Sequence, residues 1–97
     1  MTEHIMSAPS ITKERIETLL DRVTYRMEEP TGTTSTFVHA FLDGKFYLAT
    51  GHSACVSPEN FNADIGRAIA LKDATGKANA QLWLLEGYAL YKELNNV

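Results

Sequence analysis

The sequence has little of several features that would identify a function directly. One cysteine in 97 residues excludes an internal disulfide and a zinc site built from cysteines. No apolar run approaches the ~20 residues that a membrane-spanning helix needs, and the N-terminus lacks the apolar region of a signal peptide. We therefore expect a protein of the reducing cytoplasm with no membrane partner.

Basic charge is also scarce. The chain has 9 basic and 12 acidic residues and a net charge of −3. Proteins that bind nucleic acids usually carry a basic face that neutralises phosphates, so we predict no nucleic-acid partner. The content of 44% apolar and 22% charged residues is typical of a globular chain, and the length fits one domain. We predict a flexible leader over residues 1–9 and a single small α+β domain over residues 10–97.

The first regular pattern is helical. Ser10 or Thr12 is a suitable N-cap, and apolar residues then recur at intervals of three and four. This single stripe predicts one N-terminal helix that includes Ile16, Leu19, Leu20, Val23 and Met27. Pro30 and Gly32 predict its end, because the residue before a proline is disfavoured in a helix.

A β-hairpin pattern follows. Residues 33–42 and 45–50 are rich in β-branched and aromatic side chains, and Asp43-Gly44 between them predicts a two-residue turn. Such a turn places Leu42 opposite Lys45, Phe41 opposite Phe46, Ala40 opposite Tyr47 and His39 opposite Leu48. One face then carries Phe37, His39, Phe41, Phe46 and Leu48, and the other carries Val38, Ala40, Leu42, Tyr47 and Ala49. Both faces are apolar, so both need to be covered.

A long helical pattern occupies the C-terminal third. Asn62 is a suitable N-cap with Asp64 in the first turn, and no proline interrupts the run to about Leu94. An unbroken helix would have ~32 residues and a length of about 48 Å. Two outcomes are compatible with this pattern: the helix breaks near Gly76, or its end projects towards another subunit. The predicted fold class is α+β, with an N-terminal helix, a two-stranded antiparallel hairpin and a long C-terminal helix in the order α-β-β-α.

The composition of this helix predicts close packing and self-association. Small residues recur every fourth position, which allows another backbone to approach (Gly66, Ala70, Ala74 and Ala78). Residues 82–85 are apolar on every side of a helix, and such a turn is usually buried. With a hairpin that is apolar on two faces, this predicts a homo-oligomer, most simply a two-fold dimer. The candidate interface residues are Tyr47, Leu82, Trp83, Leu84, Tyr88 and Tyr91.

The bend between strand and helix, residues 51–62, is the candidate site. Ser57-Pro58 predicts a short helical turn, and helix starts bind anions through unpaired N–H groups. The candidate ligand-binding residues are His52, Ser53, Cys55, Ser57 and Asn60. The alternative is that these side chains only cap and turn the backbone.

Two other kinds of site have weaker support. Cys55 and His52 suggest a nucleophile–base pair, but the sequence indicates no third group to orient the histidine. Three histidines, His4, His39 and His52, fall on separate elements, so we expect no metal site. We also expect no cofactor.

Three stretches of the second half resemble a known family: Ser53-Ala54-Cys55-Val56-Ser57-Pro58-Glu59-Asn60-Phe61-Asn62, Ile65-Gly66-Arg67 and Leu82-Trp83-Leu84-Leu85-Glu86-Gly87-Tyr88-Ala89-Leu90. Over residues 45–94 the chain resembles the small tailed-phage proteins named after gene 49 of phage N4 and gene 66 of phage Sf6. The resemblance implies a phage or prophage origin and action in the bacterial cytoplasm, and it transfers no catalytic residue.

Three functions therefore remain open. The first is a non-enzymatic accessory protein that binds a host or defence protein. The second is an oligomer that sequesters a small anionic or nucleotide-like signal molecule at residues 51–62. The third is a small enzyme that uses Cys55 or His52.

Overall fold

The computed structural model describes residues 10–96 and has an α+β fold. Helix α1 spans Lys13–Leu20, strand β1 Val23–Glu28, strand β2 Thr36–Leu42 and strand β3 Phe46–Ser53. A single 3-10 turn, Pro58–Asn60, precedes helix α2, Ala63–Asn95. The strands form one antiparallel sheet in the order β1-β2-β3. The predicted leader and His4 lie outside the described residues.

The sheet has three strands instead of the predicted two, because the first helix is shorter than predicted. Thr12 caps α1 by accepting a hydrogen bond from Arg15 N, and α1 ends at Leu20. The prediction that Val23 and Met27 belong to this helix is wrong, because both lie in β1, opposite Leu42 and Val38. A spacing of four residues fits a helix and also fits a strand, in which alternate residues share a face. Pro30 and Gly32 thus belong to the β1–β2 connection.

The predicted hairpin register is wrong. Asp43 and Gly44 form the turn, both with positive φ, but Leu42 pairs with Phe46 and Phe41 pairs with Tyr47. Beyond them, Ala40 pairs with Ala49 and His39 with Thr50, so the register shifts. Two residues of β3 oppose one residue of β2 at this β-bulge. Leu48 was predicted beside Phe37 and His39, but it is buried in the core with Ala40.

Helix α2 is continuous over 33 residues and does not break at Gly76. Asn62 caps it as predicted, because its Oδ1 accepts a hydrogen bond from Ile65 N at 3.1 Å. The helix lies against β2 and β3, and α1 packs beside it. One buried cluster joins these elements, and it consists of Ile16, Leu19, Ala40, Leu48, Ala78 and Leu82. A second buried cluster contains Val38, Ala70 and Ala74.

The small residues of α2 face the sheet, as their spacing predicts. Ala70, Ala74 and Ala78 are fully buried. Gly51 of β3 lies directly under the helix, where a Cβ would overlap the carbonyl oxygen of Ala70 and would lie 2.8 Å from Ala74 Cα. Those obstacles are backbone atoms, which cannot rotate away. The sheet and α2 can therefore pack at this distance only with glycine at residue 51.

We predict that Gly51→Ala lowers the free energy of unfolding by about 3 kcal/mol, near the upper end of the usual cost of overpacking. Gly87→Ala is the matched control, because a Cβ there meets nothing within 4 Å. The control should gain about 0.5–1 kcal/mol from helix propensity. Urea denaturation measures both, and equal stabilities of the two variants would contradict this account of the packing.

Candidate binding cavity at the bend

The bend after β3 is held by hydrogen bonds to two neighbouring segments. Thr34 Oγ1 donates to the carbonyl oxygen of Cys55 and accepts from Cys55 N at 3.3 Å. Ser53 Oγ donates to the carbonyl oxygen of Gly66 at 2.6 Å, which joins the end of β3 to the first turns of α2. The bend is thus fixed against the β1–β2 connection on one side and against α2 on the other.

The predicted short helical turn is present. Pro58 occupies its first position, and Ser57 is the N-cap residue, although the Ser57 side chain makes no capping hydrogen bond. Ser57 Oγ instead donates to Glu59 Oε1 at 3.1 Å and accepts from Asn60 Nδ2 at 3.4 Å. The backbone N–H of Glu59 and the Ser57 hydroxyl lower the pKa of the Glu59 carboxyl. The carboxylate of Glu59 thus occupies the start of this turn, where the sequence predicted that an anionic ligand would bind.

A cavity of about 400 Å³ opens between the bend and α2. Its lining includes three of the predicted site residues, Ser53, Cys55 and Asn60. The rest of the lining is mostly apolar and consists of Ala54, Val56, Phe61, Asn62, Ile65, Gly66 and Ile69. The volume lies within the range of small-molecule sites, and an apolar lining with a few polar groups is typical of them.

His52 and Ser57, the other two predicted site residues, do not line this cavity. The His52 ring stacks on Phe37 at a centroid distance of 4.6 Å, and its Nε2 lies 3.2 Å from Ser35 Oγ. Cys55 Sγ donates to the carbonyl oxygen of Ser57 at 3.2 Å. The two side chains of the suggested nucleophile–base pair thus have separate partners, and the structure does not bring them together.

The remaining histidine makes its own contacts on the outer face of the sheet. His39 Nδ1 lies 2.8 Å from Thr50 Oγ1, and its Nε2 lies 3.0 Å from Glu28 Oε1. Within residues 10–96 no group of three or more histidine, cysteine, aspartate or glutamate side chains is placed to hold a metal ion.

Polar contacts join α2 to the β1–β2 connection and to β3. Arg67 binds Glu29 at 2.6 Å and Asp64 at 3.0 Å, and its guanidinium lowers the pKa of the Glu29 carboxyl. Asp73 accepts a hydrogen bond from His52 N at 3.0 Å and pairs with Lys77 at 3.0 Å, and both interactions lower the pKa of its carboxyl. No lysine or arginine lines the cavity, so the described chain offers no cation to an anion inside it.

The helical side of the cavity is not among the residues predicted from the sequence. Phe61, Ile65 and Ile69 recur every fourth residue and lie on its wall, and that spacing was a usable signal. Thr36 was also missed: its Oγ1 is fully buried and has no hydrogen-bond partner among the described residues. A Cβ on Gly66, a cavity residue, would lie 3.3 Å from that oxygen, so the unpaired hydroxyl sits just behind the cavity wall.

Comparison with known proteins identifies the family of this sequence. The sequence matches the family described as phage protein (N4 Gp49/phage Sf6 gene 66) over residues 11–94, which is most of the chain. The chain belongs to this family. The resemblance over residues 45–94 is thereby confirmed, and the match also includes α1 and β1. No curated protein and no solved structure matches the chain.

We predict that Thr36→Val raises the free energy of unfolding by about 1–2 kcal/mol, because it removes a buried hydroxyl that has no partner and keeps the shape of the side chain. Thr24→Val, at an exposed position of β1 where the hydroxyl makes only a long hydrogen bond of 3.5 Å to the carbonyl oxygen of Phe41, is the matched control and should change the stability by less than about 0.5 kcal/mol. Urea denaturation of both variants is the measurement. A loss of stability in Thr36→Val would show that the hydroxyl has a partner in solution.

Proposed function

We propose that this phage protein is a non-enzymatic accessory protein that acts as a homo-oligomeric binding module on a host or defence component in the bacterial cytoplasm. The observation that carries the proposal is the exposed aromatic and apolar surface of the C-terminal half of α2. Leu84 is 66% exposed, Tyr88 58% and Tyr91 56%, and Trp83 is 39% exposed. Soluble monomers rarely expose contiguous apolar patches of this kind without a binding function.

Most of the predicted interface residues are available for such contacts. Tyr47 at the hairpin is 52% exposed, and Tyr88 and Tyr91 stack on each other with a centroid distance of 6.5 Å. Leu82 differs, because it is only 2% exposed and packs in the core of its own chain. We therefore omit Leu82 from the proposed interface.

The described residues do not assemble the suggested catalytic pair. The Cys55–His52 pair is not assembled, and the cavity contains no other nucleophile with an adjacent base. No helix within residues 10–96 is long and apolar enough to cross a membrane.

We predict that the protein scatters light at micromolar concentration as a multiple of its 10.8 kDa chain. Replacing Tyr91 and Leu94, both more than half exposed, together by glutamate should lower the mass towards that of one chain, because charges in an apolar interface lose their solvation. Lys13→Glu with Glu14→Lys, a charge exchange on exposed positions of α1, is the control and should leave the mass unchanged. A wild-type mass of 10.8 kDa would contradict the proposal.

The 400 Å³ cavity favours a second candidate function, the sequestering of a small nucleotide-like signal molecule; no cation lines it, so the prediction of an anionic group bound inside it has no support from this lining. Ser53 and Asn60 supply polar atoms at its wall, and Phe61 offers a flat surface for a ring. Ile65 is 59% exposed and Ile69 53% exposed, so the helical wall is open to solvent in a single chain. A ligand would be enclosed there only if another chain covered that wall.

We predict for this candidate that protein purified from bacteria expressing a phage defence system releases a small molecule on heat denaturation, detectable by mass spectrometry. Ala54→Phe should abolish the release, since the added ring fills the cavity that Ala54 lines. Ala68→Phe, on an exposed part of α2 outside the cavity, is the matched control and should retain the ligand. Failure of every nucleotide in a calorimetric panel, together with no released molecule, would contradict this second candidate.

A further inference from the structure

The outer face of α2, which points away from the sheet, has an ordered pattern of side chains. With 3.6 residues per turn, the nine residues 65, 69, 72, 76, 80, 83, 87, 91 and 94 lie on one side, opposite the buried Ala70 and Ala74. The two ends of this face carry large exposed apolar residues, which are Ile65 and Ile69 at one end and Tyr91 and Leu94 at the other. Its middle carries Gly76 and Ala80, which are small and exposed.

The pattern is nearly the same when it is read in either direction. Reversal about Ala80, near the middle of α2, exchanges Ile69 with Tyr91 and brings Ile65 within one residue of Leu94. It also brings the largest residue, Trp83, within one residue of Gly76, and Lys72 within one residue of Gly87. In each of the last two pairs a long side chain meets a glycine whose surroundings are open, with nothing within 4 Å of the Cβ position.

A shallow, open groove lies beside Gly76 on this face. It is lined by Ile69, Lys72, Asp73, Gly76, Lys77 and Ala80, and its volume is about 630 Å³. An indole that entered it would pack its ring over the backbone at Gly76 and lie near the ammonium group of Lys77. Contacts between a cation and an indole face are favourable.

We propose that two copies of this chain pair through the outer faces of α2 in antiparallel orientation, centred on Ala80, with Trp83 of each copy in the groove at Gly76 of the other. Packing helices at close range needs small residues at the crossing, and Ala80 and Gly76 supply them. The symmetry is two-fold, so a single pattern of large and small residues satisfies both copies. The proposal rests on the proposed homo-oligomer and specifies its geometry: of the predicted interface residues it uses Trp83 and Tyr91, and it leaves Tyr47, Leu84 and Tyr88 outside the pairing face.

A parallel pairing would fit worse. It would place Trp83 against Trp83 and Gly76 against Gly76. The two helices would then have a gap between them at Gly76 and a steric clash at Trp83. It would also bring the two Lys72 side chains together, and like charges at an interface are unfavourable. In the antiparallel pairing the two Lys72 residues are about 24 Å apart along the axis, from a rise of 1.5 Å per residue.

The antiparallel pairing also completes the cavity at the bend. Ile65 and Ile69 line the cavity and belong to the outer face of α2. Leu94 of the second copy would lie over Ile65 and Tyr91 over Ile69, so the open helical wall would be covered. The binding site of each chain is therefore incomplete without the aromatic end of the other chain.

Cysteine cross-linking tests the orientation. In a Cys55→Ser background, which removes the only native thiol, we expect Ala80→Cys to form a covalent dimer under mild oxidation, because the two copies of residue 80 meet at the symmetry axis. Ile69→Cys alone and Tyr91→Cys alone should remain single chains on a denaturing gel. A mixture of those two variants, treated with a short bismaleimide, should give a covalent dimer. The two copies of residue 69 would be about 33 Å apart, beyond reach of a disulfide.

The outcomes separate this proposal from the proposed function. Self-linking of Ile69→Cys would show a parallel pairing and overturn the proposal. Failure of Ala80→Cys to link in a protein that scatters as an oligomer would also overturn it and leave the homo-oligomer standing. A mass of one chain would overturn both.

Trp83, the only tryptophan, gives a second readout in the protein without added cysteines. Its fluorescence emission should move to longer wavelength on dilution as the indole leaves the groove.

Discussion

The backbone contact between Gly51 and α2 determines the rest of the fold. Because residue 51 has no side chain, β3 approaches the helix at Ala70 and Ala74, and those alanines are fully buried. The sheet side of α2 is therefore filled by small residues along most of its length. The large side chains of the helix have no place on that side, and they project outwards or beyond the sheet, which is why a well-packed chain still exposes Trp83, Leu84 and Tyr91.

Local chemistry was enough to predict some elements and insufficient for others. The cap at Asn62, the turn at Asp43-Gly44 and the buried alanine positions follow from single residues or short spacings, and the structure has all three. Strand β1 was missed because Val23 and Met27, four residues apart, satisfy both a helical and a strand period. The register was missed because the bulge at Leu48 depends on a core that includes Leu82, far away in the sequence.

Only part of the candidate site could be predicted from the sequence, because the rest depends on packing between distant elements. Ser53 and Cys55 lie on one side of an extended chain, and the structure places both in the cavity wall. His52 falls between strand residues that face the helix, so strand alternation sends its ring to the opposite face, where it stacks on Phe37. To predict the helical wall formed by Ile65 and Ile69, one would have to know the direction of α2 relative to the bend. That direction follows from packing on Gly51 and not from the local sequence.

The charge of the cavity limits what it can hold. Arg67 is the arginine nearest to its lining in sequence, and it already pairs with Glu29 and Asp64. A phosphate placed inside would therefore lose its hydration without gaining a cation, which is unfavourable. A second copy that covers the cavity with Tyr91 and Leu94 would add apolar surface and no charge. A nucleotide-like ligand would consequently bind through its base, against Phe61, with its phosphates left at the solvent side of the bend.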